Sequence, residues 1–187
     1  MRIERLKRTF DISVRFVQFP LHPDTPADGM SLQALFGGGP DDPARREKQA
    51  RMKALMDAEG LPYGERTHTY NSRLAQELAK WAEEQPGGEA IHDALFRAYF
   101  VDARNIGQRE VLVDIAGAIG LPADEADKML AERSYRATVD ADWEASRKIG
   151  VTGVPTFAAG RYGVVGAQPY EVLEELVSSA GAVKKNG

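Results

Sequence analysis

From Pro43 to Ile149 the chain carries apolar residues at three- and four-residue spacing, with cap and stop signals between them and no convincing strand. Runs of β-branched and aromatic residues occur only before and after this block. About five or six helices enclosed by strand-like segments point to an α/β architecture interrupted by a large all-helical insertion. The expected division is residues 1–42 with 150–187 for the α/β domain, and 43–149 for the insertion.

Within the block, Asp42 is placed to cap a helix that has Pro43 at its first position, an apolar stripe of Met52, Leu55 and Met56, and Gly60 as its stop. Asn71 or Ser72 caps a second helix with Leu74, Leu78 and Trp81 on one face. Gly87-Gly88 separates it from a third, which carries Ile91, Leu95 and Tyr99. Val111, Leu112, Ile115 and Ile119 line the next, Pro122 opens a short acidic one, and Ser134 caps a last one ended by Gly150. Trp81 and Trp143 sit on apolar stripes and are expected in the core, as are Met52 and Met56.

Outside the block, Ile3, Leu6 and Phe10 form the apolar side of a cationic N-terminal helix. Ile12–Phe19 reads as a strand ended by Pro20, and Leu21–Pro43 as loop with a helical turn at Ser31–Phe36. Val154–Ala159 and Tyr162–Val165, joined by Gly160-Arg161, read as an antiparallel hairpin. Pro169 opens the last helix, and the end from Lys184 is expected to fray.

Composition narrows the chemistry. The 187 residues include no cysteine, which removes disulfides, thiolate nucleophiles, iron–sulfur clusters and Cys-containing zinc sites from what they can build. Lys and Arg number 24 against 28 Asp and Glu, a formal net charge of -4, so no positive field gathers nucleic acid. His22, His68 and His92 are far apart and fit no metal-binding spacing, so no metal is expected. No secretory signal and no apolar run of about 18 residues is visible, so a cytoplasmic location without membrane contact is expected.

The succession of strand, helical block, Gly150-Val151-Thr152-Gly153-Val154-Pro155-Thr156-Phe157, hairpin, Gly166-Ala167-Gln168-Pro169 and helix resembles the DsbA-like thioredoxin-fold proteins. Within them it looks most like the FrnE-like branch, relatives of 2-hydroxychromene-2-carboxylate isomerases, with Asn71-Ser72-Arg73-Leu74-Ala75 at the start of an inserted helix. The resemblance implies a thioredoxin-like sheet and a cis Val154–Pro155 bond beside a substrate groove. Because Pro155 lacks an N–H, the ladder is incomplete there and the Val154 backbone is free to pair with an extended substrate.

The resemblance also implies what is missing. Enzymes of this kind carry Cys-x-x-Cys at the start of the first helix, and here Ile3–Arg8 resembles that helix's second half. The N-terminal strand and redox turn have no counterpart, so either the protein begins upstream of Met1 or the redox site has been lost. The gap in the sheet is expected to close by direct pairing of 12–19 with 155–159, or by a second copy in a homodimer.

The expected function is that of a thiol-disulfide oxidoreductase homologue without redox cysteines, and no catalytic residue is identifiable. Substrate-binding candidates are Thr152, Val154, Pro155, Asn71 and Gln168, with an extended peptide or a small thiol-linked molecule as substrate. Asn71 is equally placed to be an N-cap, as Gln168 is to precede a helix. Two alternatives remain: a glutathione-linked isomerase, with Arg2, Arg5, Lys7 and Arg8 near glutathione's carboxylates, and a non-enzymatic peptide-binding or assembly module. No cofactor is required by the residues themselves, glutathione being possible.

Overall fold

The computed structural model describes residues 2–37 and 42–185, with Arg45 by its backbone alone. The chain divides into two compact units, Met1–Leu21 with Asp142–Gly187, and His22–Ala141. Both boundaries differ from 42/43 and 149/150, for local reasons. Met30 and Ser31 pair with Thr69 and His68, and Asn71 Nδ2 donates to the carbonyls of Pro23 and Thr25, so the loop after Leu21 belongs with the helices. At the other boundary Asp142 and Ser146 bond the backbone of Gln18.

The helical unit contains β1 (Met30–Ser31), α2 (Leu32–Phe36), α3 (Pro43–Ala58), β2 (His68–Thr69), α4 (Arg73–Ala82), α5 (Ile91–Phe100), α6 (Arg109–Ala118), α7 (Ala123–Glu132) and the start of α8 (Arg136–Lys148). Of the expected caps, Asp42 Oδ1 accepts from Ala44 N and Asn71 Oδ1 from Arg73 N, while the Ser134 side chain makes no capping bond among the described residues; Ser31 Oγ, not foreseen as a cap, accepts from Ala34 N. Helices α4 to α7 enclose one core in which Leu78, Ile91 and Leu112 are wholly buried, with Trp81 beside them. Burying each such side chain stabilises by about 1.5–3 kcal/mol. Gly88 lets the turn between α4 and α5 close: a Cβ there would stand 1.6 Å from the Ala82 carbonyl oxygen.

Two further expectations fail in this unit. The strand-free reading of 43–149 misses β2, because a two-residue ladder leaves no periodicity to read. Met52 and Leu55 are not core; both are exposed.

The α/β unit contains α1 (Arg2–Thr9), β3 (Thr156–Ala159), β4 (Tyr162–Val165) and α9 (Tyr170–Ser179). Strand β3 pairs antiparallel with β4, from Thr156 opposite Val165 to Ala159 opposite Tyr162, with Gly160 at φ +59° in the connection. Phe157 and Val164 are cross-strand partners on one face and pack on Leu6, Tyr170, Leu173 and Val177 from the two helices and on Phe10 just after α1. The C-terminal segment is tied rather than frayed: Lys184 bridges Phe10, and Lys185 N donates to Thr9 O. The fraying expected at Asn186 and Gly187 falls outside the described residues.

The strand expected at Ile12–Phe19 does not form, nor does its direct pairing with 155–159. Among the described residues no strand lies hydrogen-bonded to this segment, and without a ladder β-propensity alone does not make a strand. Its end is held by side chains instead. Asp142 Oδ2 accepts from Gln18 N at 3.0 Å, while Ser146 Oγ reaches Gln18 O at 3.4 Å. Among the described residues no helix is long and apolar enough to cross a membrane.

Candidate functional site

The loop Val151–Pro155 enters β3 in the α/β unit. Thr152, Val154 and Pro155 are exposed, and the Val154–Pro155 peptide bond is cis. The loop is anchored on both sides of Val154: Thr156 Oγ1 donates to Gly153 O at 2.7 Å, and Gly166 N donates to Pro155 O at 2.7 Å. Val154 itself makes no hydrogen bond among the described residues and leaves an apolar side chain 49% exposed. Beyond it, β3 pairs with β4 along one edge, and its other edge is unpaired among the described residues. This arrangement offers an extended chain a row of backbone donors and acceptors at an ordered strand entrance.

Gln168 belongs to the same unit. Its Nε2 donates to Val165 O, and its own carbonyl accepts from Arg2 at 3.0 Å, so it fixes the turn from β4 into α9. Asn71 lies in the helical unit, where its amide donates to Pro23 O and Thr25 O and its oxygen caps α4. Both polar atoms of that side chain are therefore bonded within the chain. Three of the four cations of α1 are likewise engaged: Arg2 with the Ala167 and Gln168 carbonyls, Arg5 over the Tyr170 ring at 3.6 Å, Lys7 with Glu4 at 3.2 Å.

His92 is half-buried 3.5 Å from Glu83, and burial holds its imidazole below the ordinary value despite that carboxylate. His68 is exposed, with its Nδ1 beside Thr67 Oγ1. Trp143 is half-buried rather than core. Among the described residues no group of three or more His, Asp or Glu could hold a metal ion. Sequence reasoning missed Asp142 and Ser146. Their four-residue spacing on α8 was readable, but their target, the backbone of Gln18, is 124 or more positions away.

The comparisons with known proteins agree with this architecture. The crystal structure of a probable DsbA oxidoreductase from Streptomyces coelicolor superposes with a TM-score of 0.86 at 31% identity, covering 96% of this chain and 82% of that one. A 2-hydroxychromene-2-carboxylate isomerase structure gives a TM-score of 0.67 at 18% identity, covering 96% of this chain and 85% of that one, a likeness of fold. The uncharacterized protein YwbO of Bacillus subtilis (strain 168) is 30% identical over 112 residues, 59% of this chain. The match spans 56% of that relative's own length. The sequence profile of the DSBA-like thioredoxin domain matches residues 1–178, nearly the whole of both units, and the chain belongs to that family.

Proposed function

We propose that this member of the DsbA-like oxidoreductase family binds an extended polypeptide along β3, with Val154 and Thr152 at the entrance of the groove. The observation that carries the reading is the exposed, unbonded Val154 next to a strand edge that is unpaired among the described residues. Backbone pairing supplies the affinity in strand addition, and pockets for alternate side chains supply the selectivity. Dithiol–disulfide exchange needs a thiolate, and these 187 residues hold none, so the reading is of binding rather than of redox turnover by their own side chains.

The second copy expected to complete the sheet remains part of the proposal. It is supported by Val14 and Val17, which are 41% and 40% exposed in a segment of strand-forming side chains. Sedimentation as a monomer at all concentrations would remove that part alone.

The test for the groove is an amide-resolved NMR titration with an unstructured peptide of alternating Val and Thr, run beside one with reduced glutathione. Expected are shifts at Thr152 and Val154 with the peptide, weakened about tenfold by Val154→Asp, which puts a desolvated charge at the contact. Shifts with glutathione and none with the peptide would replace this reading by the glutathione-linked isomerase one. Shifts with neither would leave no groove here.

A further inference from the structure

We propose that the outward side of α3 is a docking face for an acidic amphipathic helix of another protein. The helix carries two stripes of identical spacing. Arg46, Gln49, Ala50 and Lys53 line an open cleft of about 240 Å³ whose opposite wall is Tyr63–Glu65, and all four stay exposed at its rim. That wall is fixed: Gly64 N donates to Phe100 O at 2.9 Å, and a Cβ on Gly64 would stand 2.3 Å from the Val101 carbonyl oxygen.

A surface helix ordinarily turns its apolar stripe toward the body and its charges to solvent. Among the described side chains of α3 only Met56 is half-buried, and the apolar Met52 and Leu55 stay in solvent. The second stripe, Lys48, Arg51, Met52 and Leu55, lies two residues on, a rotation of about 200°. It faces away from the cleft, with Met52 46% and Leu55 52% exposed. Lys48 and Arg51 have no ion-pair partner among the described residues, whereas Lys53 on the cleft side is bonded to Asp57 at 2.8 Å. Cations outnumber the acids Glu47 and Asp57 along this helix, in a chain whose net charge is -4. The local positive excess therefore does not follow from overall composition.

The chemistry selects the occupant. Two apolar side chains flanked by two unpaired cations are complementary to apolar side chains flanked by carboxylates at the same spacing, the layout of an acidic amphipathic helix. An anionic membrane fits less well. Interfacial helices carry a broad apolar face with Trp, Phe or Leu, and this face has only Met52 and Leu55 and adjoins Glu47.

The full chain is tested by fluorescence anisotropy with a labelled peptide of about 18 residues that places Leu and Glu on one helical face. Saturable 1:1 binding is expected, weakened about tenfold between low salt and about 0.3 M salt. It should weaken about tenfold in Lys48→Glu/Arg51→Glu and again in Met52→Ser/Leu55→Ser, and stay unchanged in Lys48→Arg and in the remote Arg161→Glu. The altered side chains are solvent-exposed, so circular dichroism of every variant should match the parent. Absent binding, or binding in either double variant equal to that of the parent, overturns the proposal. So does wild-type partition onto phosphatidylserine vesicles, or self-association through these four residues, with no binding of the peptide.

Discussion

Replacing Glu77 by Ala removes the acceptor at the centre of the helical unit's ion network. Glu77 on α4 is wholly buried, and its carboxylate accepts from Arg73 Nε at 2.7 Å and from both Nε and one terminal nitrogen of Arg133 at 2.8 and 2.7 Å. Arg133 follows α7 in the left-handed conformation, φ +56°, so the carboxylate ties α4 to the turn after α7. Arg73 also reaches Asp140 at 2.7 Å and donates to Arg136 O, which brings α8 into the same network. Truncating one member of a buried ion pair costs about 3–5 kcal/mol, because charge is left without its partner. Arg133 is partly open to water and Arg73 keeps Asp140, which places Glu77→Ala at the lower end, about 3 kcal/mol. That corresponds to a fall in Tm of about 6–12 °C for a chain of this size.

The pH dependence has a definite sign. Burial alone pushes the Glu77 carboxyl up, but the hydrogen bonds and charges of Arg133 and Arg73 together outweigh it and hold it below its ordinary value of 4.5. The folded state thus binds this proton less readily than the unfolded one. The stabilisation is complete above the ordinary carboxylate value and is lost as pH falls through the lower, folded one. Urea unfolding at pH 7 and in the acid range, for the parent and Glu77→Ala, reads both effects. A loss of under about 0.5 kcal/mol at pH 7, or a variant as acid-sensitive as the parent, would refute the network account.

Other outcomes follow from single contacts. Asp142→Ala leaves the Gln18 N–H without its acceptor and should cost about 1–3 kcal/mol, with faster hydrogen exchange at that amide; unchanged protection at Gln18 would show that the side chain does not hold the segment. The Tyr135 hydroxyl donates to Glu84, and burial followed by that carboxylate pushes its titration up to about 12. Tyr135→Phe should therefore leave the ultraviolet titration between pH 9 and 11 unchanged, and a missing tyrosinate in that range would contradict the contact.

Much of the local structure is legible in the sequence. Asp42-Pro43, Asn71, Pro122 and Gly160-Arg161 act at the helix starts and the turn where their chemistry placed them, because a cap or a two-residue connection is satisfied by neighbours in sequence. The cis Val154–Pro155 bond followed from the family resemblance rather than from local chemistry, and the structure carries it. Ile12–Phe19 was misread because a strand exists only when another strand takes its N–H and C=O groups, and propensity does not say whether one is present. The stripe on α3 was misread because periodicity identifies an apolar side but not whether the body lies on it.

The sequence by itself determined the helical insertion, the family resemblance and the absence of any thiol chemistry from these residues, since each rests on residue type or spacing along the chain. Tertiary structure alone decided the rest. Gln18 is held by Asp142 and Ser146, Asn71 clips a distant loop, Glu77 gathers two guanidinium groups, and β3 keeps an unpaired edge among the described residues. The Gln18–Asp142, Asn71–Thr25 and Glu77–Arg133 contacts join groups tens to more than a hundred positions apart. Their energies depend on distance, burial and direction in space, which local spacing does not encode.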